Sequence, residues 1–70
     1  MRYTHLITGE TRTLEDWSCD LLAWGKDMLD AMNPDEMGTK ERSQYHAIEA
    51  AVHTRDLDLL AAMNQLEEAY

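Results

Sequence analysis

Apolar side chains recur along most of this chain at the spacing of a helix. Leu14, Trp17, Leu21, Trp24, Met28 and Met32 follow one another at steps of three or four. Leu22, Gly25 and Leu29 widen the same face. That period predicts a first helix after Thr13. Thr13 is a natural cap, Asp16 stands three residues on, and Glu15 and Asp16 suit the positive end of the helix dipole. A mid-helix glycine costs about 1 kcal/mol against alanine, so Gly25 marks either a break over residues 22–25 or a close approach by another element.

"NPDE" at residues 33–36 is the clearest boundary. Asn33 is placed to cap, Pro34 suits the first helical position, and Glu36 suits the box position. The second helix then runs through Tyr45, Ile48, Ala51 and Val52, with Gly38 and Thr39 as a restart or kink. Thr54 reads as a third cap with Asp56 behind it. Leu59, Leu60, Met63, Leu66 and Tyr70 carry a third helix to the last residue. Residues 2–8, "RYTHLIT", alternate β-formers but are too few to make a sheet alone. The expectation is an all-α fold: an extended arm and turn over residues 1–12, then a three-helix domain over residues 13–70.

Size and charge narrow the function. Seventy residues make one domain with a thin core, and chains this short usually gain support from disulfides, a metal or a partner copy. Cys19 is the only cysteine, so no disulfide forms within the chain; a lone free thiol fits a reducing, cytoplasmic setting. Homodimerisation is the favoured support, with Leu22, Trp24 and Leu29 as its candidate surface. Two tryptophans and five methionines are mostly core fillers, but they exceed what a core this small readily hides.

Fourteen Asp and Glu against six Lys and Arg give a formal charge of −8. That balance repels phosphate and anionic lipid and favours a basic protein surface. No apolar run approaches the ~20 residues of a membrane span, and Arg2 is followed by no apolar stretch of the signal-peptide kind.

The segment "TGETRTLEDWSCDLLAWGKDMLDAM", residues 8–32, resembles the lead-in of small phage and prophage helix-turn-helix modules. In those modules a glycine, a Thr-Leu pair, an acidic residue and a tryptophan precede a tight "L-G-I" turn and a recognition helix. Thr13, Leu14, Asp16, Trp17 and Leu21 match that register over about 25 residues. The resemblance implies a helix-turn-helix-like fold and, in one reading, a dimeric DNA-binding regulator. The residues behind the match depart from it. Leu22 and Ala23 stand where the turn glycine and the next apolar residue belong, and the would-be reading helix offers Lys26 against Asp27 and Asp30. Base and phosphate contacts come mostly from Arg, Lys, Asn and Gln, so nucleic acid is a poor partner for this sequence.

Candidate chemistry is sparse. Asp16, Asp20, Asp27 and Asp30 fall within about 80° of one another on the first helix, away from the face carrying Trp17 and Trp24. They span roughly 21 Å. The stripe is either a solvated face or a docking surface for a Lys/Arg-rich groove, with mimicry of a phosphate backbone as one form of the second. Trp24 and Tyr45 are the candidate aromatic anchors. His46, Glu49 and His53 share a helix face but lack a further ligand at motif spacing, so no metal is expected. No phosphate loop, nucleophile triad or paired-carboxylate motif stands out, and no enzymatic activity or cofactor is expected.

The leading expectation is therefore a phage- or mobile-element-encoded inhibitor. It would cover a basic surface of a host polymerase, nuclease or CRISPR effector. The DNA-binding regulator, or a protein whose only task is dimerisation and assembly, stands as the alternative.

Overall fold

The computed structural model describes residues 1–69. Strands β1 (Arg2–His5) and β2 (Thr11–Thr13) lead into helix α1 (Leu14–Ala31). A single 3-10 turn (Pro34–Glu36) precedes helices α2 (Thr39–Thr54) and α3 (Leu57–Met63), and strand β3 (Leu66–Ala69) closes the described chain. The protein is mostly helical, but the all-α expectation fails: the three strands form one antiparallel sheet in the order β2-β1-β3.

The N-terminal segment is a hairpin, not an arm. Its turn is drawn closed by His5 N–H donating to Glu10 O and Gly9 N–H donating to His5 O, each at 2.8 Å. Gly9 supplies the positive φ (73°) that the turn requires. The His5 Nδ1 accepts from the amides of Ile7 and Thr8 at 3.2 and 3.3 Å. Two short strands remain marginal alone; β3 supplies the third, with Tyr3 opposite Glu68 and His5 opposite Leu66.

That third strand is cut from what the periodicity assigns to the third helix. α3 ends at Met63, and Gln65 takes a left-handed conformation (φ 59°) that turns the chain back along β1. Leu66 is buried there as a strand residue. Tyr70, also assigned to that helix, lies outside the described residues.

The helix starts divide between local and nonlocal control. Thr13 caps α1 as expected: its Oγ1 accepts from Asp16 N–H at 3.3 Å and donates to Asp16 Oδ2 at 2.8 Å. Asn33 caps only the 3-10 turn, through Asp35 N–H, and α2 restarts at Thr39 behind Gly38. Thr54 is not a cap. It is the last residue of α2 and donates to Ala50 O at 2.8 Å, while Asp56 caps α3 through Leu59 N–H.

α1 runs unbroken through residues 22–25, so no turn interrupts it where the helix-turn-helix pattern would put one. Leu21, Ile48 and Leu60, one from each helix, are fully buried. Trp17, Ala51, Ala61 and Leu66 complete the core. Trp17 also ties α1 to the sheet, its Nε1–H donating to Tyr3 O at 3.1 Å. Among the described residues no helix is long and apolar enough to cross a membrane.

Candidate partner-binding surface

The acidic stripe of α1 divides into two halves with different chemistry. Cross-strand pairing places Arg12 opposite Tyr3 on the helix-facing side of the sheet. From there its guanidinium carbon lies 3.6 Å from the Trp17 ring centroid. Its Nη2 donates to Asp20 Oδ2 at 2.6 Å, and its Nη1 reaches Asp16 O at 3.4 Å. Nε lies 3.1 Å from Glu10 Oε1 as an ion pair without hydrogen-bond geometry. The hydrogen bond to Asp20 is the main reason this guanidinium holds its proton more tightly than usual. Partial burial opposes it, and the charges of Glu10, Asp20 and Asp16 add to it. Asp16 is occupied in turn by the Thr13 hydroxyl. The stripe therefore does not lie away from the tryptophan face as expected: at about 100° per residue Asp20 sits about 60° round the helix from Trp17, and Arg12 bridges the two.

Asp27 and Asp30 form the other half. Both are exposed, and neither has an ion-pair partner among the described residues. No basic residue occupies the last turn of α1. They therefore sit toward the negative pole of the helix dipole, where a carboxylate is disfavoured and a cation welcome.

Of the two candidate anchors, Trp24 is partly spent on the core. Trp24 and Leu22 are half-buried and pack against the buried cluster. Leu29 and Tyr45 are half-buried, and the Tyr45 ring stands edge-on to His46 at 5.7 Å. His46 Nδ1 lies 3.9 Å from Glu49 Oε1. Among the described residues no group of three His, Cys, Asp or Glu is placed to hold a metal. Cys19 is exposed and free.

Folding assembles a second acidic region that the linear sequence does not reveal. Tyr3 Oη donates to Asp58 Oδ1 at 3.5 Å across 55 residues of chain. Partial burial, then the charges of Asp58 and Glu68, push the phenol above its ordinary value. An open cleft of about 370 Å³ beside it is lined by Met1, Tyr3, Thr13, Leu14, Glu15 and Asp58. A second, of about 410 Å³, lies where α1 meets α2 between Met32, Met37, Glu36 and Glu41. Carboxylates beside apolar walls suit a cation carried on an aliphatic stem better than an anion. The hairpin turn adds Leu6 and Ile7, 58% and 76% exposed. "RYTHLIT" held them in view, but only the turn shows that neither points inward.

No family model, curated protein or solved structure matches this chain.

Proposed function

We propose that this chain is a small acidic protein-binding module that covers a basic surface of a nucleic-acid-handling protein. It acts by steric and electrostatic block, in the manner of inhibitors carried by phages and mobile elements. The observation that carries this reading is the position of Asp27 and Asp30. They are exposed, unpaired among the described residues, and set toward the negative end of a helix with no cation in its last turn.

Asp30, in the last turn of α1, costs its own fold a few tenths of a kcal/mol. A basic partner reverses that sign. Surfaces that hold a nucleic-acid backbone are basic, because they neutralise its phosphates with Lys and Arg. Asp16 and Asp20, held by Thr13 and Arg12, contribute to the long-range field that steers encounter. They are less free to re-pair at contact.

The test is capture of a basic protein from a bacterial lysate, run in parallel with Asp27→Asn/Asp30→Asn. A gel shift against duplex DNA at low salt is the counter-experiment. The double variant is expected to keep its circular dichroism spectrum and lose at least tenfold in capture, with a weaker dependence on salt. Salt-sensitive DNA binding by the unmodified chain would overturn the reading in favour of a regulator. Capture indifferent to both salt and the substitution would also overturn it.

A further inference from the structure

β3 is an edge strand, and its free side selects what can pair with it. Among the described residues the order β2-β1-β3 leaves Leu66–Ala69 with a neighbour on one side only. Leu6 N–H donates to Gln65 O at 3.2 Å. The alternation of an antiparallel ladder then turns the main-chain groups of Glu67 and Ala69 toward β1 and those of Leu66 and Glu68 outward. Such an edge is a template for a further strand.

Two-fold pairing with the same edge of a second copy fits it badly. A two-fold axis normal to the sheet keeps the helix-covered face on one side, so paired residues must point to the same face. One residue must then lie opposite itself. The two registers that use most of the strand are centred on Glu67 and on Glu68. They set glutamate against the same glutamate at about 5 Å, which is destabilising.

A basic strand fits well. Glu67 is exposed, and Glu68 is half-buried on the helix-facing side with an Oε1 that is buried and has no hydrogen-bond partner. Among the described residues neither glutamate has an ion-pair partner. We propose that the free edge of β3 takes an extended strand of a basic partner, with Lys or Arg opposite Glu67 and Glu68, and that these glutamates bar two-fold pairing of β3 with the β3 of a second copy. The proposal rests on the basic-partner reading but assigns the contact to a different element from α1.

The probe is a blocked octapeptide with a Lys-Arg pair flanked on each side by Thr-Val-Thr, added to the isotope-labelled full chain. Amide shifts and slowed exchange are expected at Leu66 and Glu68, not along Thr11–Thr13 or at Asp27 and Asp30. Affinity should fall at least tenfold in Glu67→Lys/Glu68→Lys and survive in Asp27→Asn/Asp30→Asn. A peptide with Glu-Glu in place of Lys-Arg should leave the amides unmoved. Separately, Glu67→Thr/Glu68→Thr is expected to dimerise in sedimentation equilibrium at concentrations where the unmodified chain is monomeric. Shifts confined to α1, no binding at all, or binding indifferent to the two glutamates would overturn the edge proposal. The lysate capture judges the basic-partner reading independently, so the two can fail separately.

Discussion

Gly25 and Val52 set the distance between α1 and α2. A Cβ placed on Gly25 would lie 2.5 Å from Val52 Cγ2 and 3.4 Å from Leu60 Cδ2. Val52 is β-branched, so its methyl cannot swing aside without leaving its rotamer. Gly25→Ala gains about 1 kcal/mol of helix propensity but overpacks this contact, which costs about 1–3 kcal/mol. The expected result is net loss of stability in urea unfolding. Gly25→Ala/Val52→Ala should recover part of it, because the second truncation removes the obstructing methyl. A stabilised Gly25→Ala would show that the helices part without cost.

The same glycine marks how far the sequence could be read. Gly25 stands out against the helical period because a mid-helix glycine carries a local cost; only the fold shows that a close approach, not a break, explains it. Thr13 was legible because capping is settled within one turn. β3 was not, because "LEEA" is made of good helix formers. Its strand state comes from pairing with β1, more than 60 residues away in the chain, and tertiary pairing overrides so weak a local preference. The α1 stripe could be drawn from spacing alone. The pairing of Asp20 with Arg12 could not, because Arg12 reaches Trp17 and Asp20 only after β2 pairs with β1.

Arg12 acts on stability through its planar fork and its stacking as well as its charge. A cation over an aromatic ring contributes about 0.5–1 kcal/mol at an exposed site and about 2 kcal/mol when desolvated, and an exposed ion pair about 0–1 kcal/mol; here the Trp17 ring is buried and Arg12 half-buried. Arg12→Ala is therefore expected to lower the urea midpoint, with a shift in Trp17 emission. Arg12→Lys keeps the charge but neither the fork nor the flat stack, so it should recover less than half of the loss. Full recovery by lysine would reduce the cluster to simple charge pairing.

The two halves of the α1 stripe should respond to neutralisation with opposite signs. Asp20→Asn removes the 2.6 Å partner of Arg12 and is expected to destabilise by about 0.5 kcal/mol. Asp30→Asn removes a carboxylate from the negative end of α1 and is expected to stabilise by about 0.3–1 kcal/mol. Both effects should shrink in high salt, because both sites are exposed. Losses of equal size and sign from the two variants would contradict the division.

Two non-glycine residues hold left-handed backbone at chain reversals: Arg55 (φ 55°) after α2 and Gln65 (φ 59°) before β3. At Arg55 the amide bonds are those of a Schellman ending, Asp56 N–H to Ala51 O at 2.9 Å and Arg55 N–H to Val52 O at 3.4 Å. Glycine is the usual occupant there because a Cβ costs about 1 kcal/mol in this region. Arg55→Gly and Gln65→Gly are each expected to stabilise by about 0.5 kcal/mol, the greater freedom of glycine in the unfolded chain offsetting the rest. Thermal unfolding reads the shift, and the two sites are expected to add in the double variant.

Tyr3 sets the behaviour of the fold in alkali. Partial burial, then Asp58 and Glu68, raise its phenol above the ordinary 10.0, and these influences vanish on unfolding. Between the ordinary and the raised value the folded chain binds more protons than the unfolded one. Stability from this group is therefore complete below pH 10.0 and is lost as pH climbs through the folded value. The urea midpoint, followed by circular dichroism, should fall on that limb, and Tyr3→Phe should flatten the fall because no phenol remains to ionise. Asp58→Asn removes the second-largest cause and leaves burial and Glu68, so its slope should lie between the two. An alkaline limb equally steep in the unmodified chain and Tyr3→Phe would place the titrating group elsewhere in the molecule.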